Sequence, residues 1–438
     1  MKSKLIYLLI SGIMINIPAF SQSLPKCQIP ECVGVQTKPN YATAEGLKAI
    51  SDAGVKIIRR GFYWNGIETQ KGVYNFAEYD ELVKNAEENG LRILGVLFGN
   101  NKLHEDDNRG GIQTEGGRKA FANFAAALAE HFKGKGIVWE IWNEPNVRTF
   151  WRKDGMHNSE EFAEEYTALV KEVVPAMRKA DPNCLVLAGS VSNFWEPSYK
   201  WTEFCFAKGI YKSGISGWSV HPYGVKTPEE FTIGYNITRD IMKKYDVPQN
   251  FPIVNTERGF SVEFKKTWGD HRDTEGWSGG PNDMATQYQA WHLVRQFMID
   301  QLNKINFTIW YEWAPKDETK FAIVNGNEKR PAFFALQNMI KQLSKYSLKE
   351  RIKTDSELDY LLLFQNAEGK KKIVAWTCPP PKESPDKAIP HTISIDLKPG
   401  ETAEALNIFG EKTKAEVSAE KISVEISGSP LYITILNK

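Results

Sequence analysis

A (β/α)8 barrel followed by a small antiparallel β-sandwich is the α/β architecture that this sequence predicts, on three observations. Eight short apolar runs, at 32–36, 55–59, 92–98, 138–143, 185–190, 217–221, 252–257 and 307–310, are β-branched or aromatic and bounded by Gly, Pro or Asn. Strands buried on both faces read this way. Stretches with helical periodicity separate the runs. Near Tyr346 the composition then shifts to short alternating strands with Gly- and Pro-rich separators. Eight strand–helix units over about 310 residues suit a closed barrel. An open doubly wound sheet would also alternate, but gives no reason for eight units.

Taken in order, the first element is a targeting segment. Lys2 and Lys4 precede an apolar stretch at 5–17, and Ala19-Phe20-Ser21 is a small-x-small cleavage pattern. Residues 1–21 are therefore expected to be a signal peptide, and the mature protein to be exported, periplasmic or secreted. The apolar stretch is too short to cross a hydrocarbon core of about 30 Å, so no stable membrane anchor is expected. The bulky Lys26 before Cys27 argues against a lipoprotein site.

Within the barrel, assigned to 22–346, Phe76, Tyr79, Leu82, Val83 and Ala86 recur at helical spacing before a Gly90 stop. Phe162, Tyr166, Leu169, Val170, Val173 and Met177 do the same behind an Asn158/Ser159 cap. The last helix is expected to end near Tyr346. Residues 347–438 form the accessory sandwich, with strands at 360–366, 372–377, 392–397, 403–407, 422–426 and 431–436. Packing against the barrel is its expected job.

Composition excludes several function classes. A formal net charge of +1 lacks the basic footprint of nucleic-acid or anionic-membrane binding. Ample apolar residues exclude a disordered chain. Seven scattered His, with no C-x-x-C or H-x-H, provide no ligand set for a metal, and no cofactor motif occurs. Five Cys follow the leader. Pairs Cys27–Cys32 and Cys184–Cys205 would suit an oxidising compartment, and buried thiols are the alternative.

The chemistry of a barrel sits where its strands end. The fourth run exits as Trp139-Glu140-Ile141-Trp142-Asn143-Glu144-Pro145-Asn146, with Pro145 halting the strand just after a carboxylate. The seventh exits as Asn255-Thr256-Glu257-Arg258-Gly259, the sixth as His221-Pro222-Tyr223, the second with Arg59 and Arg60, and the eighth as Trp310-Tyr311-Glu312-Trp313. Two facing glutamates are what glycosidic cleavage needs: one protonates the leaving oxygen while the other attacks or stabilises the anomeric carbon. Exposed aromatic rings suit the apolar faces of sugars. Glu140, four residues inside Glu144, is expected in an internal ion pair.

Asn143-Glu144-Pro145 after an aromatic strand, Glu257 in a Thr-Glu-x-Gly setting, His221-x-Tyr223 and the Arg59 strand together resemble the retaining glycoside hydrolases of clan A, such as families five and thirty-nine. Trp64, Glu68 and Gly72-Val-Tyr74 resemble the second unit of such barrels. The resemblance implies that Glu144 is the general acid/base, Glu257 the nucleophile, and Asn143 a donor to the sugar 2-hydroxyl. Tyr223 and Arg59 (with Arg60 as rival) would keep Glu257 ionised, and His221 would orient beside Tyr223. Trp310, with Trp313 as rival, would form the platform under the sugar.

Trp218 and Trp291 are expected in the core, whereas Trp151, Trp195, Trp268 and Trp277 lie in post-strand segments and are candidates for sugar contact. Long segments at 100–117, 146–158 and 259–283 would wall the site. An enzyme acting on a β-linked oligo- or polysaccharide is expected. The alternative is a catalytically silent carbohydrate-binding barrel, which has no use for two carboxylates that repel each other.

Overall fold

The computed structural model describes residues 22–105, 110–262, 284–315, 320–383 and 387–437. The leader expected at 1–21 lies outside them, as do Trp268 and Trp277 and most of 259–283.

Eight parallel strands close into a barrel: β1 (Val33–Gln36), β2 (Ile57–Tyr63), β3 (Arg92–Phe98), β4 (Val138–Ile141), β5 (Leu185–Ser192), β6 (Gly217–His221), β7 (Ile253–Arg258) and β8 (Thr308–Trp310). Each pairs with its sequence neighbours, and β1 closes against β8. A helix follows each strand: α1 (Ala44–Asp52), α2 (Ala77–Glu88), α3 (Glu115–His131), α4 (Glu160–Ala180), α5 (Glu196–Ala207), α6 (Phe231–Lys244), α7 (Met284–Leu302) and α8 (Pro331–Leu343). Thr43, Thr114 and Ser159 accept backbone N–H groups at the starts of α1, α3 and α4, satisfying donors that a helix leaves open.

Strand limits differ from expectation where side chains decide them. β2 starts two residues later than expected and runs to Tyr63, so Arg59 lies inside the strand and not at its exit. β4 stops at Ile141 because Trp142 enters the left-handed region at φ 70°. β5 continues to Ser192 through a bulge between Ala188 and Val191.

The last helix ends at Leu343, and the next strand begins at Tyr346. Among the described residues the C-terminal region holds eight strands, two more than expected: β9 (Tyr346–Ile352), β10 (Asp359–Asn366), β11 (Lys371–Thr377), β12 (His391–Asp396), β13 (Glu401–Leu406), β14 (Ala415–Val417), β15 (Lys421–Ile426) and β16 (Leu431–Asn437). They form antiparallel sheets in the orders β9-β10-β11-β16-β13 and β12-β15-β14. β9 and β14 escape the sequence pattern because no residue of either is buried, which weakens the alternation.

Period-two alternation gives the larger sheet two buried faces. Tyr360, Leu362, Phe364, Val374 and Trp376 belong to the barrel's own core, whereas Leu361, Ile373 and Ala375 pack toward the second sheet with Ile422, Val424 and Ile426. Helix α7 is consequently buried on nearly every side. No described helix is long and apolar enough to cross a membrane.

All five cysteines are free, which corrects the two disulfides considered above. Their sulfurs have other surroundings: Cys205 Sγ lies 3.9 Å from the Ala163 carbonyl, and Cys32 Sγ accepts from Gln301 Nε2 at 3.1 Å.

Candidate active site

Arg59 is the hub of the barrel mouth. Register places it beside Gln36 of β1 and Leu94 of β3, and its side chain is 3% exposed. Its Nε and Nη2 donate to Glu140 Oε2 at 3.0 and 2.8 Å, and Nη1 donates to Glu257 Oε2 at 2.8 Å. Nη1 also reaches Gln36 Oε1 at 3.1 Å, and Nη2 reaches Asn143 Oδ1 at 2.8 Å. Burial opposes the guanidinium charge, but Glu140 and Glu257 more than offset this and hold Arg59 above its ordinary pKa. Glu140, wholly buried, forms the internal ion pair expected of it. Arg60 points the other way and pairs with Glu78.

Glu257 stands at the end of β7 with its side chain 15% exposed. Besides Arg59, the Tyr223 hydroxyl donates to Glu257 Oε1 at 3.3 Å. Burial, reinforced by the Glu257 charge, pushes the Tyr223 pKa well above the ordinary phenol value, so the hydroxyl keeps its proton. Arg258 lies over the Tyr223 ring, 4.8 Å from its centroid, and donates to the Gly259 carbonyl. A side chain at Gly259 would overlap the Tyr311 carbonyl, so the backbone approach that closes β7 onto β8 requires glycine here.

Glu144 reaches the mouth through strained backbone. Trp142 and Glu144 have φ values of 70° and 48°, conformations that cost non-glycine residues of order 1–3 kcal/mol each. Local bonds hold them: Trp142 N–H donates to the Leu97 carbonyl, its Nε1 to the Phe150 carbonyl, and Val147 N–H to the Glu144 carbonyl. The β5 bulge contributes too. Ser190 sits at φ 50° after Gly189 at 116°, and its Oγ accepts the Glu144 N–H at 3.3 Å. A Cβ at Gly189 would meet the Ser219 carbonyl. The same Oγ lies 3.1 Å from His221 Nε2, and His221 Nδ1 lies 2.9 Å from Glu144 Oε1.

This buried imidazole serves either protonation state of Glu144. When the carboxylate is ionised, Nδ1–H donates to it and Ser190 donates to Nε2. When the carboxyl is protonated, it donates to Nδ1 and Nε2–H turns to Ser190. His221 thus contacts Glu144, whereas the expectation set it beside Tyr223.

Oxygens of Glu144 and Glu257 lie within 4.8 Å of each other. Retaining glycosidases hold their carboxyl groups about 5–5.5 Å apart and inverting ones about 6.5–9.5 Å. Glu144, His221 and Glu257 also each offer an atom close enough to share a metal ion. However, the Arg59 guanidinium already occupies Glu257, and His221 Nδ1 is engaged by Glu144, so a cation would meet a charge of its own sign. Asn143 spends its amide oxygen on Arg59, which leaves its NH2 as the donor for a ligand.

The aromatic expectations need correction. Trp310 and Trp313 are 0% and 1% exposed, so neither presents a ring face to a sugar. Tyr311, between them, is half-buried at the β8 exit, and Lys38 donates to its hydroxyl at 3.2 Å. Trp151 is also fully buried, donating to Glu165. Trp218 is core, Trp291 is partly buried against it, and Trp195 is exposed. Sequence reasoning missed Gln36, Ser190 and Tyr311. The Gly189-Ser190 pair inside an apolar run was the available sign of the bulge.

Residues 25–315 match the family model described as cellulase, glycosyl hydrolase family 5. Endo-1,4-beta-xylanase C of Phanerodontia chrysosporium is 30% identical over 124 residues, 27% of this chain and 29% of that protein. Endo-1,4-beta-xylanase A of Thermotoga neapolitana is 22% identical over 272 residues, 60% of this chain but only 24% of that protein. The matched segments therefore span under a third of either curated relative. Among solved structures, a family 39 glycoside hydrolase from Bacteroides cellulosilyticus superposes with a TM-score of 0.72 at 18% identity, covering 92% of this chain and 81% of that one. A monomeric beta-xylosidase from Caulobacter crescentus gives 0.63 at 15%, covering 95% and 98%.

Proposed function

The chain belongs to the cellulase family, glycosyl hydrolase family 5, and from that premise we propose that it is an exported retaining enzyme that cleaves a β-linked oligo- or polysaccharide. A β-1,4-xylose backbone is the first candidate, since endo-1,4-β-xylanases are among its relatives. The observation that carries the reading is the asymmetry of the two glutamates. Oxygens within 4.8 Å of each other have opposite surroundings: Glu257 is held by a guanidinium and a phenol, and Glu144 by an imidazole that works in both protonation states.

In the first step Glu257 attacks the anomeric carbon while Glu144 gives its proton to the glycosidic oxygen. The C–O bond to the leaving sugar breaks and an ester to Glu257 forms. His221 adjusts its hydrogen bond as Glu144 becomes ionised. In the second step Glu144 takes a proton from water, which attacks the same carbon and releases Glu257. Arg59 and Tyr223 stabilise the carboxylate at both ends of the cycle, and the Asn143 amide donates to the sugar 2-hydroxyl. Residues 22–346 make up the catalytic unit, and the sandwich from 347 to 438 supports it without contributing a carboxylate. Export rests on the 1–21 leader, and N-terminal sequencing of protein recovered from periplasm or medium should begin at Gln22.

Azide rescue tests the roles. Glu257→Ala should lose turnover on every substrate, and azide should restore it with inverted stereochemistry, filling the vacated face. Glu144→Ala should be hurt far more on poor leaving groups than on activated aryl glycosides. With azide it should yield a glycosyl azide of retained configuration. Exchanged stereochemistry, or near-normal rates in both variants, would sink the assignment.

A further inference from the structure

We propose that Arg258 is a positioning residue that acts through the Tyr223 hydroxyl to make Glu257 a better leaving group in the second step. This deepens the reading of Glu257 as nucleophile and rests on it.

Arg258 is the last residue of β7, next to Glu257, and is 6% exposed. Arg59 and Arg295, buried alike, each hold a carboxylate. Arg258 does not: among the described residues no carboxylate pairs with it, and its Nε has no partner. Its remaining bonds go to backbone, Nη1 to the Gly259 carbonyl and Nη2 to the Val225 carbonyl at 3.5 Å. Glu230, whose charge favours the cation, is spent on its own turn, where Oε1 accepts the N–H groups of Lys226 and Thr227 at 3.1 and 3.0 Å. Burial draws the Arg258 pKa down to about 10, so the group is still charged at neutral pH. A buried charge without a counter-ion costs stability, and an apolar side chain would cost less.

What the charge faces is a ring. The Arg258 Cζ lies 4.8 Å from the Tyr223 centroid, inside the range of a cation–π contact, and 5.9 Å from that of Phe231. His292 of α7, on the same side, is kept neutral by burial and supplies no negative charge. A cation beside a phenol favours the phenolate, which makes the O–H a stronger donor; Arg258 pulls the Tyr223 pKa down while burial raises it.

The proton of that phenol has one destination. Gly259 N–H donates to the Tyr223 oxygen at 3.3 Å, and the hydroxyl donates to Glu257 Oε1 at 3.3 Å. The backbone that aims this N–H is itself held, since the Arg258 carbonyl accepts from Tyr311 N–H at 3.1 Å and from Gln296 Nε2 at 3.3 Å. The bond to Glu257 counts unequally in the two steps. Glu257 gives up its charge on forming the ester and regains it when water releases the sugar. A strong donor at Oε1 therefore steadies the departing carboxylate, and it restrains the same carboxylate slightly as it attacks.

The test is the kinetics of Arg258→Met, Tyr223→Phe and the double variant on the dinitrophenyl β-glycosides of xylose, glucose, mannose and galactose. So activated a leaving group makes the second step limiting. In Arg258→Met, kcat and KM should fall together by about tenfold, the effect of weakening one hydrogen bond to a charged group, while kcat/KM stays within about twofold. A burst of dinitrophenol should precede the steady state, and intact-mass spectrometry should show the glycosyl-enzyme accumulating. Tyr223→Phe should show the same split, and adding Arg258→Met to it should change kcat by less than about twofold. The melting midpoint of Arg258→Met should equal or exceed that of wild type. A fall in kcat with KM unchanged, a full additional loss in the double variant, or an Arg258→Met that does not fold would overturn this inference alone. Wild-type enzyme inactive on the whole panel, or an adduct mapped to a residue other than Glu257, overturns the functional assignment and this inference with it.

Discussion

Two buried carboxylate–guanidinium clusters, one in the barrel mouth and one at the seam with the C-terminal sheets, use the same groups to opposite ends. At the seam, Glu229 is saturated: Arg295 Nε and Trp376 Nε1 donate to Oε1 at 2.7 and 2.8 Å, and Arg295 Nη2 donates to Oε2 at 2.5 Å. Arg295 Nη1 continues to the Gly428 carbonyl at 3.4 Å. In the mouth, Arg59 is divided among Glu140, Glu257, Asn143 and Gln36, Glu140 Oε1 has no partner, and Glu257 stays open to solvent. A cluster with every bond made holds two parts of a fold together. One left short of partners, with a face open, is ready to accept a substrate.

The largest effect that would sharpen this contrast is on rate. Glu257→Gln should lower turnover by more than about 10⁴-fold while leaving the melting midpoint unchanged or higher, because Arg59 still pairs with Glu140. A matching loss of stability, seen by calorimetry, would erase the distinction. Next, Arg295→Met leaves Glu229 buried without its cation and should cost about 3–5 kcal/mol of unfolding free energy in urea. The kcat of molecules that remain folded should hardly change, and a parallel loss of kcat would show that the seam takes part in catalysis.

A third buried carboxylate separates the contribution of a cation from that of neutral donors. Asp300 accepts from Tyr235, Asn255 and Thr308 but has no cation, and burial raises its pKa to about 6. At Glu229 burial also works upward, but Arg295 reverses it and the pKa falls below its ordinary value. A raised folded pKa gives stability that is full below the unfolded value of 3.8 and lost as pH rises through about 6. That window is worth about 3 kcal/mol. Asp300→Asn should remove this component, so the difference in stability between variant and wild type should shift by that amount between pH 4 and pH 7. A constant difference would mean that the neutral donors alone keep Asp300 ionised. Smallest, Trp376→Phe deletes one donor to a charged group and should cost about 2 kcal/mol. A cycle with Glu229→Gln should recover most of it as coupling.

Much of this layout was legible beforehand, for identifiable reasons. Barrel strands buried on both faces leave apolar runs, and Pro145 after Glu144 marks a strand exit. Arg59 is favoured over the adjacent Arg60 in the sequence, and it is Arg59 that pairs with Glu257. The failures came from side-chain packing and backbone irregularity. Trp310, Tyr311 and Trp313 offered three rings within four residues, and the family resemblance pointed to the two tryptophans that packing buries. The His221–Glu144 contact depends on a bulge at Ser190, of which the Gly189-Ser190 pair is the one local sign. The Glu229–Arg295–Trp376 cluster joins residues up to 147 positions apart, beyond any local pattern.

The unbridged cysteines have a practical consequence. Burial pushes every thiol upward, Cys184 to about 11 and Cys27 and Cys378 to about 12, so none is a ready thiolate at neutral pH. No covalent staple registers the redox poise of the medium, and reductant should neither loosen nor inactivate the fold. Alkylating reagents would then capture a sulfur chiefly when the surrounding structure opens. The order in which Cys205 of α5 and Cys378 beside the seam become labelled would report, in minutes and hours, whether barrel and sheets come apart together or one after the other.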